Sequence, residues 1–167
     1  MSTPRPTGTV GDGPRGRELR LTRRYRAAPE AVWAALTESD RLERWIGRWE
    51  GDPRTGRISF FMTAEGADVQ AEEYRIVECD PPWRFAADTA VGDRQWHLRF
   101  ELEHTPGDGM TTLTFAQLLA DDDMSSVGPG WEYYLDRLTA SLEGGDADAL
   151  DFGDYYPAMK GHYASLA

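Results

Sequence analysis

The stretch Arg94-Gln95-Trp96-His97-Leu98-Arg99-Phe100-Glu101-Leu102-Glu103-His104 decides the fold. Trp96, Leu98, Phe100 and Leu102 alternate with Gln95, His97, Arg99, Glu101 and Glu103, the pattern of a strand with one buried face. Pro106-Gly107-Asp108-Gly109 is a hairpin turn, and threonine-rich Met110–Leu119 returns beside the first strand. The period then changes. Val127, Trp131, Tyr134, Leu135, Leu138 and Leu142 lie at helical spacing from about Gly128 to Glu143, and Gly144-Gly145 closes the helix. Its apolar stripe should face the strand Arg94–His104.

Working back toward the N-terminus, Glu18–Arg26 alternates as a half-buried strand, with Leu19, Leu21 and Tyr25 on one side. Ala28-Pro29 stops it, and Pro29 suits a first helical turn. Val32, Trp33 and Leu36 give a helical stripe through Glu38. Ser39 or Asp40 is placed to cap a second short helix carrying Leu42, Trp45 and Ile46 and ending at Gly47. Strands come next at Arg57–Ala64, at Asp68–Glu78 with mixed faces, and at Trp83–Asp88 after the Asp80-Pro81-Pro82 turn. A last amphipathic piece runs from Asp154, with Tyr156, Met159, Tyr163 and Leu166 on one side. The order predicts an α+β fold with one antiparallel sheet of about six or seven strands, two short helices after the first strand and a long C-terminal helix.

The chain has 167 residues, the size of one domain. Residues 1–16, with three Pro and four Gly, read as a flexible tail, 17–144 as the domain, and 145–167 as an acidic extension with a short amphipathic helix. Eighteen basic and 29 acidic residues give a net charge of −11. Residues 101–167 hold two basic and thirteen acidic residues and carry all of it, which reads as a solvated acidic face. Such a chain is a poor partner for nucleic acid or an anionic membrane surface. One cysteine, Cys79, excludes an internal disulfide and a cysteine-based zinc cluster. No apolar run approaches the roughly 20 residues of a membrane helix, and the N-terminus has no signal-peptide core, so a cytoplasmic protein without membrane insertion is expected.

Several stretches coincide in order: Ala28-Pro29-Glu30-Ala31-Val32-Trp33-Ala34-Ala35-Leu36-Thr37 leading to Leu42-Glu43-Arg44-Trp45, then Asp80-Pro81-Pro82-Trp83-Arg84-Phe85, the strand from Trp96 to Leu102, and Gly130-Trp131 opening a helix with Leu135-Asp136-Arg137-Leu138. Over roughly residues 18–144 the chain resembles the START-like (birch-pollen-allergen-like, or SRPBCC) superfamily, and within it bacterial relatives of the C-terminal domain of the heat-shock chaperone ATPase activator. The resemblance implies a START-like helix-grip fold, a curved antiparallel sheet wrapped around the long C-terminal helix, with a cavity between sheet and helix. The eukaryotic activator has a separate N-terminal domain, to which the short Pro/Gly tail does not correspond, so chaperone activation is not the expected role.

Catalytic signatures are sparse. No G-x-S-x-G occurs, Ser125-Ser126 suits helix capping, and Cys79 has no adjacent cation to activate its thiol. His97 and Glu101 lie about 13 Å apart along a strand, too far to share a metal. His104 reads as a hydrogen-bonded residue at a sheet edge. Asp121-Asp122-Asp123 lacks the spacing of a calcium loop and reads as an acidic loop favouring the next helix. Neither a metal nor a cofactor is expected. Arg23, Glu73 and Arg75 fall on the otherwise apolar parity of their strands and are the only candidates for proton-moving chemistry.

Six tryptophans among many other aromatics leave two readings open, a filled core and a cavity for a flat apolar ligand. The residues expected to touch such a ligand are Trp45, Phe60, Met62, Phe85, Trp96, Phe100, Trp131 and Tyr134. The resemblance, to folds whose cavity opens near the short helices, implies that Trp45 sits at the mouth. The leading expectation is a non-enzymatic domain binding a small apolar or aromatic ligand. A cyclase or dehydratase acting on a polyketide-like substrate is one alternative. A protein-interaction module related to chaperone ATPase activators, with a protein partner or a second copy on its surface, is the other.

Overall fold

The computed structural model describes residues 3–120 and 123–166; Asp121 and Asp122 of the acidic loop lie outside them, as do Met1 and Ser2 of the tail. The elements in chain order are β1 (Thr9–Gly13), β2 (Gly16–Tyr25), α1 (Pro29–Thr37), α2 (Ser39–Leu42), β3 (Arg48–Glu50), β4 (Arg57–Phe61), β5 (Glu72–Asp80), β6 (Arg84–Val91), β7 (Arg94–Thr105), β8 (Met110–Leu118), α3 (Met124–Leu142) and α4 (Lys160–Ser165). All strands join one antiparallel sheet in the order β1-β2-β8-β7-β6-β5-β4-β3. The sheet curves around α3, which gives the α+β, helix-on-sheet architecture.

The alternation of β7 does what its pattern implies. Phe100 and Leu102 turn inward beside Phe115 and Leu113 of β8, their direct cross-strand partners. Leu135 and Leu138 of α3 complete the core with Leu19 and Leu21 of β2. Leu138 is fully buried, whereas Trp131, Tyr134 and Leu142 of the same stripe are only partly so. His104 hydrogen-bonds the Thr111 hydroxyl at 3.1 Å.

Two strands raise the count among the described residues to eight. β3 is three residues long, too short to carry an alternation. β1 lies within residues 1–16, which the sequence reads as a flexible tail. Its backbone pairs with β2, Thr9 opposite Arg20 and Gly13 opposite Gly16. Ladder hydrogen bonds need no side chain, so a Gly-rich edge strand leaves no hydrophobic signature. Because β1 precedes β2, the two short helices come after the second strand rather than the first.

Helix ends differ from expectation for local reasons. α2 begins at Ser39 without a side-chain cap. The Ser39 hydroxyl instead pairs with Trp49, donating to its carbonyl and accepting from its N–H, both at 2.9 Å. α3 starts a turn before Gly128, because the Asp123 carboxylate caps it by accepting from the Ser125 N–H at 3.1 Å. Pro129 therefore lies inside the helix, where sequence rules place a proline at the start.

The C-terminal segment folds back onto α3 and joins the same core through Tyr155, Met159 and Tyr163. Arg137, only 5% exposed, ties it down by donating to the Ala147 carbonyl at 2.9 Å and to the Trp45 carbonyl at 2.7 Å. No helix among the described residues is long and apolar enough to cross a membrane.

Candidate functional site

Between the sheet and the helices lies a cavity of about 400 Å³. Its volume is in the range of small-molecule sites. The helix side contributes Trp33 and Leu36 of α1, Trp45 and Ile46 after α2, and Trp131 and Leu135 of α3. The sheet side contributes Ile58 and Phe60 of β4, Tyr74 and Ile76 of β5, Phe85 and Ala87 of β6, Leu98 and Phe100 of β7, and Phe115 of β8. Glu38, Pro53 and Cys79 are the exposed members of the lining and mark its opening.

The aromatic walls have defined geometry. Phe85 stacks on Phe100 with centroids 5.4 Å apart and planes 20° from parallel. Trp33 meets Phe100 edge-on at 5.4 Å, and Phe60 leans on Tyr74 at the same separation. Phe115 and Trp131 are 4.4 Å apart. These offset and edge contacts hold the rings as walls and give a flat molecule faces to lie against.

A bulge in β5 shapes the wall near the opening. The register shifts between Ile76 and Glu78, so Val77 has no cross-strand partner on β6. An extra residue reverses the parity of the strand beyond it. Tyr74 and Ile76 line the cavity from one side of the bulge and Cys79 from the other, while Val77 is 50% exposed. Burial, and secondarily the charge of Asp80, pushes the Cys79 thiol above its ordinary value, so it stays protonated near neutrality.

Polar atoms in the lining are mostly committed. Trp45 Nε1 donates to the Ala35 carbonyl at 2.9 Å, Trp49 Nε1 to the Thr37 carbonyl at 2.8 Å, and Trp131 Nε1 to Gln117 Oε1 at 2.7 Å. The Thr37 hydroxyl donates to the Trp33 carbonyl at 2.8 Å. Arg99 is ion-paired with Glu18 and, at 2.9 Å, with Glu101, although its Nη1 is buried without a hydrogen bond.

Of the eight residues singled out from sequence, Trp45, Phe60, Phe85, Phe100 and Trp131 line the cavity. Met62, Trp96 and Tyr134 do not. Met62 packs at the edge of the core just before the short turn Thr63–Glu65. Trp96 sits opposite Thr89, two residues beyond the last lining residue of β7. Tyr134 turns out toward Glu65, donating its hydroxyl to Oε1 at 3.2 Å. Trp45, expected at the mouth, is 4% exposed and forms an inner wall. Sequence reading missed Trp33 and Trp49, and also Tyr74, Ile76 and Cys79, whose common side is hidden by the bulge.

The candidates for proton-moving chemistry are elsewhere. Arg23 points at α3, bonding Glu132 at 2.8 Å and Asp136 at 3.1 Å, off the cavity lining. Glu73 and Arg75 lie on the outer face, where Glu73 pairs with Arg57 at 3.4 Å and Arg75 with Asp88 at 3.0 Å. Their neighbours Tyr74 and Ile76 take the inner parity. His97 is part of that outer ionic face, bonded to Asp88 at 2.6 Å. Among the described residues, no three His, Cys, Asp or Glu side chains converge as a metal site requires.

Comparison with known proteins gives the cavity a context. Residues 26–143 match the model of a family described as Activator of Hsp90 ATPase homolog 1-like protein. The crystal structure of CalU16 from Micromonospora echinospora is similar, with a TM-score of 0.73, 22% identity, and coverage of 97% of this chain and 96% of that one. A solution structure of a Bordetella parapertussis protein is similar at a TM-score of 0.72 and 22% identity, covering 100% of this chain and 96% of its own. DynU16, described as a putative protein in the dynemicin biosynthetic locus, matches at a TM-score of 0.59 and 18% identity, over 78% of this chain and 49% of that one. No curated protein matches the chain. At these identities the structures share a fold.

Proposed function

We propose, from the premise that this chain belongs to the Activator of Hsp90 ATPase homolog 1-like family, that it binds a small apolar or aromatic ligand in the cavity between sheet and α3. The observation that carries this reading is the cavity itself: about 400 Å³, walled by stacked and edge-on aromatic rings, with most of its polar atoms committed to protein partners. An apolar void of that size is a loss of packing unless something fills it. The fold family is a ligand-binding kind, which supports the same reading, as does the position of the opening beside the short helices. The binding role is non-enzymatic and cytoplasmic in this proposal. A cyclase reading draws on Arg23, Glu73 and Arg75, and all three side chains are engaged in ion pairs away from the cavity.

The test is a fluorescence titration with fluorene, a flat hydrocarbon. Four of the six tryptophans line the cavity, so binding should quench emission with a Kd near micromolar, on the order of −8 kcal/mol. Ala87→Phe, which projects a ring from the floor into the cavity, should abolish the quenching while the melting temperature stays within about 3 °C. Fluorene binding to Ala87→Phe as tightly as to the unmodified protein would sink the proposal.

A further inference from the structure

The cavity's hydrogen-bonding inventory is uneven. Three of its four indole N–H groups and the Thr37 hydroxyl are bonded to protein acceptors. Besides Nη1 of Arg99, two neutral donors are left over. The Tyr74 hydroxyl and the Trp33 indole N–H make no hydrogen bond to any described residue, although both side chains line the cavity. Trp33 approaches from α1 against Phe100, and Tyr74 from β5 against Phe60, so the two donors belong to opposite walls. Burial, and secondarily the charge of Glu72, pushes the Tyr74 phenol well above its ordinary value, so it remains a donor at any physiological pH.

The charges point the same way. The Arg99 guanidinium, the one cation of the lining among the described residues, is ion-paired with both Glu18 and Glu101, although its Nη1 makes no hydrogen bond, and Glu38 is a carboxylate at the rim paired with Arg41 at 3.3 Å. The chain as a whole carries −11. A carboxylic acid entering the cavity would lose its hydration and, among the described residues, meet in the lining only a cation already shared by two carboxylates, whereas a neutral carbonyl oxygen meets a free neutral donor.

Resting on the ligand-binding reading above, we infer that Tyr74 is the specificity-determining residue of the cavity: it selects flat apolar molecules that carry a neutral carbonyl-type acceptor, with Trp33 as the second donor, over hydrocarbons of the same shape and over acids. One donor held in a water-poor site discriminates by its hydrogen bond to the acceptor. It also discriminates through the cost of leaving the donor unpaired when the acceptor is missing.

The experiment uses three matched probes, 9-fluorenone, fluorene and fluorene-9-carboxylate, titrated into the full chain and into Tyr74→Phe, a change that keeps the ring and removes only the hydroxyl. Tyr74→Phe should weaken fluorenone binding about threefold to tenfold and leave fluorene within about twofold. The carboxylate should bind the unmodified protein at least about tenfold more weakly than the ketone. Equal effects of Tyr74→Phe on ketone and hydrocarbon, or a carboxylate that binds as tightly as the ketone, would overturn the specificity role and leave apolar binding standing. If none of the three probes binds the unmodified protein, the ligand-binding reading itself falls and this inference falls with it. Thermal melting of Tyr74→Phe, expected within about 2 °C of the parent, separates a lost donor from a damaged fold.

Discussion

Arg23 of β2 and Glu132 of α3 meet at 2.8 Å with Glu132 only 1% exposed, and this pair holds both ends of the chain. Glu132 also accepts from the Thr7 N–H at 2.5 Å, from the Gly8 N–H at 3.0 Å and from the Tyr163 hydroxyl. Asp136, one turn on, shares the Arg23 guanidinium at 3.1 Å and accepts from the Tyr155 hydroxyl at 2.7 Å. A buried carboxylate is tolerated here because every lone pair has a donor.

Acid should therefore loosen both termini together. Burial alone would raise the Glu132 carboxyl. The hydrogen bonds from Tyr163, the Thr7 N–H and Arg23, with the Arg23 charge, outweigh it and hold the group below its ordinary value of 4.5. A folded-state value below the unfolded one contributes stability that is present above about pH 4.5 and lost as pH falls through the folded value. Urea midpoints measured from pH 7 down to pH 3 should fall in the parent protein. Glu132→Gln should be less stable at pH 7, by about 3 kcal/mol, with a shallower acid limb. An acid limb of unchanged slope in that variant would show that other carboxylates carry the dependence.

Deleting residues 1–13 removes β1 and three of the donors to Glu132, the Thr7 N–H and hydroxyl and the Gly8 N–H, and bares the edge of β2. The loss should reach at least about 2 kcal/mol, or roughly 4–8 °C in melting temperature for a chain of this size. A deletion variant that melts with the parent would mean β1 contributes nothing to the folded state.

The ring of Tyr163 of α4 packs directly against Gly128 of α3. A β-carbon at Gly128 would overlap the tyrosine ring, and one at Gly8 would meet its hydroxyl end. Alanine normally stabilises a helix interior over glycine by about 1 kcal/mol. Here Gly128→Ala should destabilise by about 1–3 kcal/mol, because the ring must move and its bond to Glu132 with it. Equilibrium denaturation showing a gain in stability would mean that α4 docks less tightly than the structure has it.

Cys79 reports on the cavity opening. Its thiol is exposed enough to react yet held above its ordinary value by burial and by Asp80. Maleimide labelling at pH 7 should run several-fold slower than for a free cysteine and accelerate as pH rises past 9, following the thiolate. Saturating fluorene should slow it further. Labelling indifferent to fluorene would place the ligand away from the β5 bulge.

Residue periodicity and turn signals determined the α+β class, the β7–β8 hairpin, the first short helix and the long helix α3, whereas the second short helix, expected to run to Gly47, ends at Leu42. Each of these buries one face, and burial of one face writes a period of 2 or 3.6 into the chain. The same logic identified five of the cavity residues, Trp45, Phe60, Phe85, Phe100 and Trp131. Features without a periodic trace had to wait for the tertiary structure. β1 is held by backbone pairing, and a Gly-rich strand pairs without an apolar face. The bulge at Val77 inserts one residue and inverts the parity behind it, which concealed that Tyr74, Ile76 and Cys79 share a wall and misplaced Glu73 and Arg75 on the inner face. Arg23 reads as a misplaced charge on an apolar parity until α3 brings Glu132 and Asp136 to it across more than a hundred residues. Whether the aromatic rings fill the interior or enclose a space depends on how their volumes meet in three dimensions, and a linear pattern carries which side a residue faces, not how much room lies beyond it.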